Sequence, residues 1–402
     1  MNQNLVMAAV GLSLLATTCL ADQNHNLGGN VLGACATFAA DGKSAAVTFD
    51  ANSLSLDITD PLGKSSHLSI PLRYKLQITN RSLYPGSPNA CDVYFDREGD
   101  LVAIGIDNLQ VGIADVKTME WIGDWDEANA GIASPSFAGF IEGTNSLVVA
   151  GEPPAEDSKG IHWGLYATAV FDPSGKQLTP LRIQRYAPDG HMFRRFADGG
   201  HNRLWVFRCE LVDAPMSRQP LCPVASTSLT GNQQPSSPEF VPSMQKWNRV
   251  DLWFYPSAFA APDLNTIVFG EGTTIWAVNT EAQTIHRLVL PKRPHFPSFE
   301  EIGDQVALSP DGQVVAVTVN RSRLAFPFLV DNYVYQGTDI AVIQIDPLRL
   351  LGVLRYGRTV YAPTVQGPKP GFAIDHRQGR VTALVYRHGR WEREEFNGVP
   401  QP

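Results

Sequence analysis

The sequence has few charged residues and no excess of basic ones. Asp, Glu, Lys and Arg make up 18% of its 402 residues, and the formal net charge is −8. That charged fraction is below the roughly 25% typical of soluble domains, which disfavours a helix-rich cytosolic protein. Nucleic-acid binding needs a basic surface to neutralise phosphates, so we expect no nucleic-acid partner.

Motifs for common chemistry are also absent. The sequence contains no Gly-x-Ser-x-Gly, no His-x-x-x-His, no glycine-rich phosphate loop between a strand and a helix, and no Cys-x-x-Cys or Cys-x-x-Cys-His. The loop Asp124–Asn129 is rich in oxygen atoms, but Ala128 stands where a calcium loop needs a ligand. We read it as a solvated acidic turn, and we expect no metal and no cofactor.

Only the first residues form a long apolar run. Leu5 to Leu20 is almost wholly apolar and leads into Ala21 and Asp22, a pattern typical of a secretory signal peptide. An uncleaved membrane anchor or a buried strand is the alternative. We expect residues 1–21 to be a signal peptide and residues 22–402 to be exported, secreted or periplasmic, with no membrane span after signal removal.

Four cysteines remain beyond Cys19, an even number that suggests two disulfides, although four buried free thiols would also fit. Cys35 and Cys91 occupy nearly equivalent positions before the first turns of two successive units. Cys209 and Cys222 bracket the start of a stretch rich in proline and serine, 209–247, which we interpret as a surface insertion. The predicted disulfides are Cys35–Cys91 and Cys209–Cys222.

The sequence contains 34 glycines and 29 prolines, and many of these turn-forming residues recur at intervals. Seven segments share a short apolar strand, a tight polar turn and a longer apolar strand, about every 56 residues. Thr37–Phe49 and Ala307–Val319 are examples. A second hairpin turn recurs at Asp60–Gly63, Asp172–Gly175 and Asp346–Arg349. Four antiparallel strands per unit predict a β-propeller, whereas a twin β-sandwich would not repeat the two hairpins in order.

Two of these segments resemble known families. Val306–Val317 is similar to the strand–turn–strand core of WD-repeat-like and YVTN-type propellers, and Ile340–Asp346 is similar to the third strand of YVTN-type blades. The resemblance implies the same propeller fold, and the seven units predict an all-β, seven-bladed propeller of four-stranded antiparallel blades. It implies no particular activity, because propellers serve many functions.

The last unit offers three strands, so one edge would stay unpaired. Sheet edges left open invite aggregation, and propellers usually borrow a strand from the other terminus. Residues 23–33, with Leu27, Val31 and Leu32, could supply it. We therefore expect the N-terminal segment to complete the last blade.

Function is expected at one end of the propeller, called here the long-loop end. The connections between successive blades run there and are long: Arg73–Ala90, Pro291–Asp304 and Tyr356–Gly371. The predicted ligand-binding residues at the inner-strand entrances are His191, Arg194, Arg195, Tyr255 and Asp304. The first three belong to a basic stretch, Arg182–Arg208, whose arginines could instead pair with acidic residues of neighbouring blades.

The leading interpretation is therefore an exported binding or scaffold module. Its partner would be a protein, or a polar small molecule or carbohydrate, held at the long-loop end. A propeller enzyme is the alternative, such as a lactonase-like hydrolase or a lyase acting on a carbohydrate-type substrate. A subunit that supports a redox partner is a third possibility, although no quinone or haem motif is present in the sequence.

Overall fold

Short antiparallel strands joined by tight turns account for most of the described chain. The computed structural model describes residues 31, 33–50, 52–72, 91–106, 110–126, 130–141, 144–152, 165–180, 182–185, 192–198, 201–209, 224–228, 258–282, 284–291, 298–324, 333–355, 369–387 and 389–397. Apart from strands, the last sheet contains one short 3-10 helix, His376–Gln378. Among the described residues, no helix is long and apolar enough to span a membrane.

Each strand pairs with its neighbours in sequence, which gives five sheets of four strands and two of three. Sheet A contains β1 (Gly33–Phe38), β2 (Ser44–Phe49), β3 (Ser53–Thr59) and β4 (Ser65–Pro71); sheet B contains β5 (Cys91–Phe95), β6 (Leu101–Ile106), β7 (Gln110–Asp115) and β8 (Glu120–Asp126). Sheet C contains β9 (Ala133–Phe140), β10 (Leu147–Glu152), β11 (Leu165–Phe171) and β12 (Arg182–Arg185); sheet D contains β13 (Met192–Asp198), β14 (Arg203–Cys209) and β15 (Val224–Ser228). Sheet E contains β16 (Ala258–Ala260), β17 (Thr266–Glu271), β18 (Thr274–Asn279) and β19 (Thr284–Val289). Sheet F contains β20 (Ser298–Leu308), β21 (Val314–Leu324), β22 (Tyr333–Gln344) and β23 (Arg349–Arg355); sheet G contains β24 (Gly371–Asp375), β25 (Arg380–Arg387) and β26 (Arg390–Asn397).

The sheets stack face to face in chain order and close into a ring. Buried apolar clusters join A to B, B to C, D to E, E to F and F to G. Strand β9 of sheet C contacts β13 of sheet D, and a further apolar cluster joins G back to A. Such a radial ring of antiparallel sheets is a β-propeller, which confirms the predicted all-β propeller.

The second strand of a sheet is buried on both faces because it has a neighbouring sheet on each side. In β6 all residues except Gly105 are buried, and Val314–Val319 of β21 is buried throughout. Outer strands alternate instead, as in β4 and β26, because one side meets solvent. This matches the continuous apolar runs that the sequence predicted for second strands.

Tight, hydrogen-bonded turns form the end opposite the long loops, called here the short-turn end. The Asp41 carboxylate accepts a hydrogen bond from the Lys43 backbone N–H, and Asp96 accepts two, from Asp100 and Leu101. Gly42 and Gly312 take positive φ values of 88° and 69°, which glycine adopts without strain. These turns are short and internally braced, so they form a rigid surface.

Beyond the all-β propeller itself, the predicted fold class is wrong. Sheets D and G have three described strands rather than four. Gly33, the last residue of the segment predicted to complete the last blade, begins β1 and pairs with Phe49 in sheet A. Residues 23–30 lie outside the described residues, as does the predicted signal peptide. Strand β15 lies within the predicted insertion 209–247.

Sheet G approaches sheet A most closely at Gly371. A Cβ atom on this residue would lie 2.7 Å from the Ala36 carbonyl carbon and 2.7 Å from the Thr37 nitrogen. Both neighbours are backbone atoms of β1, which cannot move aside without disturbing its pairing with β2. Only glycine therefore allows β24 and β1 to lie this close.

We predict that Gly371→Ala destabilises the propeller by about 1–3 kcal/mol, because the added methyl group forces β24 away from β1. Gly352→Ala in β23 is the matched control, since a Cβ there meets nothing within 4 Å. We expect the control to stay within about 0.5 kcal/mol of the parent protein. Urea unfolding measures both variants, and equal effects would contradict the close approach.

Candidate binding site

The interface between sheets G and A, called here the closing seam, has little apolar packing. Its cluster contains three buried residues, Ala36, Ala46 and Leu384, with Phe38 and Trp391 partly buried beside them. The clusters described for the other seams contain at least six buried residues each. The closing seam must therefore be held by other contacts.

Polar contacts around Lys369 hold the half of the seam nearest the long-loop end. The Lys369 backbone N–H donates to the Ala34 carbonyl at 2.9 Å, and the Ala36 N–H donates to the Lys369 carbonyl at 3.0 Å. The Lys369 ammonium reaches Asp92 of β5 at 2.7 Å. Lys369 thus links strands of sheets G, A and B at the inner rim of the ring.

A disulfide reinforces the same rim. Cys35 of β1 and Cys91 of β5 are bonded, with their Cα atoms 5.6 Å apart, and both residues are buried. This confirms the predicted Cys35–Cys91 pair. Cys209 ends β14, but Cys222 lies outside the described residues, so the Cys209–Cys222 bridge stays a prediction.

At the short-turn end the seam opens into a pocket of about 720 Å³. Its walls are β1 with the following turn, the inner strands β20 and β24, and the face of sheet G that looks toward sheet A. Binding sites for small ligands commonly have volumes of about 300–1,000 Å³. The pocket, called here the seam pocket, is our candidate functional site.

Three arginines line the seam pocket: Arg377, Arg380 and Arg393. The Arg393 guanidinium lies over the Phe38 ring, 5.8 Å from its centroid. The Arg380 Nη1 atom is 3.9 Å from Glu395 Oε2, at the limit of an ion pair, and its Nε is shielded from solvent without a hydrogen-bond partner. The guanidinium groups of Arg380 and Arg393 therefore retain hydrogen-bonding capacity.

The three aspartates of the seam pocket already form hydrogen bonds or an ion pair within their own turns. Asp41 forms an ion pair with Lys43 at 2.7 Å, while Asp311 accepts from the Ser309 hydroxyl and Asp375 from the Gln378 N–H. Burial would raise the pKa of the Asp41 carboxyl, but the hydrogen bonds and charge of Lys43 outweigh it and lower this pKa below its usual value. Asp41 is thus an ionised, paired carboxylate at neutral pH.

Of the predicted ligand-binding residues, the structure describes the backbones of Arg194, Arg195 and Asp304. His191 and Tyr255 lie outside the described residues. The backbones of Arg194 and Arg195 lie in β13, the first strand of sheet D, as predicted for an inner strand. Asp304 was expected at the end of a loop, but it lies within β20, in an irregularity of the β20–β21 pairing between Ile302 and Val306.

Sequence reasoning did not single out Arg380 and Arg393. Arg380 directly follows the turn before β25, and Arg393 lies in β26, whose many charged residues usually mark a solvated outer strand. The sequence did contain one indication. Residues two apart in a strand share a face, so Arg380 and Thr382 lie on the same face of β25 as the apolar Leu384. No group of three potential metal ligands occurs in the part of the chain that the structure describes.

We predict that Asp92→Asn lowers the free energy of unfolding by on the order of 2 kcal/mol, because the buried Lys369 ammonium loses its carboxylate. Lys64→Met is the control, since Lys64 is exposed in a hairpin turn. We expect that control to change stability by less than about 0.5 kcal/mol. If Asp92→Asn unfolds in urea like Lys64→Met, the ion pair does not hold the seam.

Comparisons with known proteins leave the family of this chain open. No family model matches it, and no curated protein matches it. Among solved structures 971 chains match. One belongs to the "Crystal Structure of Mitotic Checkpoint Complex"; it is 11% identical, covers 90% of this chain and 87% of that chain, and has a TM-score of 0.49. At that score the similarity supports no functional argument, and the fold rests on the sheets described above.

Proposed function

We propose that this chain is an exported binding module, a propeller that holds a segment of a partner protein in the seam pocket. The observation that carries the proposal is the pocket itself, where Arg380 and Arg393 retain hydrogen-bonding capacity among the described residues. Fold alone does not name a function, so the proposal depends on this site.

The walls of the seam pocket suit it to binding. They are strands and short turns braced by their own side chains, such as the turn closed by Asp41 and Lys43 and the turn closed by Ser309 and Asp311. A rigid site loses little conformational entropy when a ligand binds, so more of the contact energy appears as affinity. The rigid walls therefore favour binding in the seam pocket.

Export is supported by the disulfide and by the N-terminal sequence. The Cys35–Cys91 disulfide fits a protein that folds in an oxidising compartment, because cytosolic thiols are kept reduced. The apolar run Leu5–Leu20 supplies the matching signal. We infer that the protein is secreted or periplasmic.

The long-loop end is a second proposed surface. Arg194, Arg195 and Asp304 lie on the first strands of sheets D and F, where they could face a polar or carbohydrate ligand at the channel mouth. Its other proposed residues are His191 and Tyr255. The binding experiment below distinguishes this surface from the seam pocket.

Expression of the full sequence in a host with an export pathway should yield a processed protein that begins near Asp22. The intact mass and the N-terminal peptide identify the cleavage site, and a non-reducing peptide map should link the Cys35 and Cys91 peptides. Recovery of the protein in the cytosol with Met1 or Asn2 at its start would contradict export.

Selection of random twelve-residue peptides displayed on phage should yield peptides that bind the purified protein saturably. Hydrogen–deuterium exchange should then show protection in β1, β24 and β25, which border the seam pocket. Protection confined to β13 and β20 would instead favour the long-loop end. If no peptide binds saturably, the protein-binding function is wrong.

A further inference from the structure

We infer that the seam pocket recognises an acidic segment, one that presents two carboxylate side chains to Arg380 and Arg393. The inference rests on the proposed function and specifies the chemistry of its partner. Its basis is the placement of these two arginines on one wall of the pocket, together with the contacts that each makes and lacks.

Strand pairing places both arginines on the same face of sheet G. Arg380, Thr382 and Leu384 alternate along β25, and Leu384 lies opposite Arg393 of β26. Leu384 belongs to the apolar cluster of the closing seam, so this face looks toward sheet A. The position of the Arg393 guanidinium over Phe38 of β1 agrees with that orientation.

Each guanidinium has a neighbour that positions it, but it still has hydrogen-bond donors that the protein does not use. Arg393 is exposed, its guanidinium lies over the Phe38 ring, and it forms no ion pair among the described residues. Arg380 has a distant carboxylate at 3.9 Å and a shielded Nε that lacks an acceptor. The Arg380 side chain is otherwise partly exposed, so each guanidinium can offer a fork of donors to a partner that is both charged and able to accept two hydrogen bonds.

Carboxylates meet that requirement better than neutral groups, because their two oxygens match the guanidinium fork. The acidic side chains of the pocket itself are engaged elsewhere, Asp41 with Lys43 and Asp375 with the turn that follows it. Thr382, between the two arginines on the same wall, adds a hydroxyl. The same wall carries the Glu395 carboxylate, opposite Thr382 and 3.9 Å from Arg380, but the two guanidinium groups offer more donors than this one side chain can accept.

Spacing along the wall sets the spacing expected in the partner. Arg380 and Leu384 are four residues apart on β25, about 13 Å at the usual rise of a strand, and Arg393 lies beside Leu384. An extended partner would span that distance with the same number of residues. We expect acidic residues about four positions apart, the pattern Glu-x-x-x-Glu.

The test uses the phage-displayed library against three proteins: the parent, the double variant Arg380→Gln/Arg393→Gln, and Arg390→Gln. Arg390 lies on the same strand as Arg393 but is 76% exposed and pairs with Glu392, so it controls for the loss of a positive charge. Peptides selected on the parent should be enriched in Asp and Glu about four positions apart. Anisotropy titrations of synthetic copies should show at least about tenfold weaker binding to the double variant, and less than twofold change for Arg390→Gln.

A second measurement needs no protein variant. Replacing the two acidic residues of a selected peptide by Gln should weaken its binding by at least about tenfold, and raising NaCl from 50 to 500 mM should weaken the acidic peptide far more than the Gln peptide. Peptides that bind saturably but lack acidic residues, or that bind the double variant as tightly as the parent, would overturn this inference while leaving the proposed function intact. Failure to select any peptide would overturn both.

Equal displacement of the peptide by millimolar sodium sulfate and by sodium chloride of matched ionic strength is the expected result; selective displacement by sulfate would show a site for free anions instead.

Discussion

Closing the ring is the constraint on which the rest of this propeller depends. Each sheet buries a face only against a neighbour, so sheet G must meet sheet A although they lie at opposite ends of the described chain. The main-chain hydrogen bonds of Lys369 to Ala34 and Ala36 make that connection, and its ion pair with Asp92 extends it to sheet B. Because these bonds are directional and largely buried, they set the register of the sheets as well as holding them.

This way of closing determines where the candidate site lies. Gly371 lets β24 touch β1 near Lys369, while toward the short-turn end the same face of sheet G carries Thr382 and Arg380, whose polar groups cannot fill an apolar seam. The two sheets therefore meet at one end and separate at the other. Seams such as that between sheets E and F are filled by Val, Ile and Leu side chains, which leaves less room for a polar ligand.

Much of the fold could be predicted because its signals are local. Asp-Gly turns and apolar second strands mark each unit within about a dozen residues, and the equivalent positions of Cys35 and Cys91 before their turns predicted the disulfide. The position of Asp304 could not be predicted in the same way. The irregularity at Gly303–Gln305 interrupts the apolar pattern, so the start of β20 reads as a loop although Ile302 is buried. The closure was also mispredicted, because the need to protect an edge does not specify which segment protects it.

The candidate site escaped prediction because its wall belongs to two distant parts of the sequence. Arg393 looks like a solvated charge until the ring closes and places Phe38 beneath it. The same closure explains how a chain of net charge −8 could attract an acidic segment. At physiological salt the Debye length is about 8 Å, so the negative charges on other blades are largely screened. Within the seam pocket, a carboxylate would contact the guanidinium groups at hydrogen-bond distance, well inside the Debye length, so attraction there would exceed the distant repulsion. Recognition of an acidic partner is thus assigned to the seam where ring closure brings Arg380 and Arg393 to one wall, with Glu395 only at the limit of an ion pair.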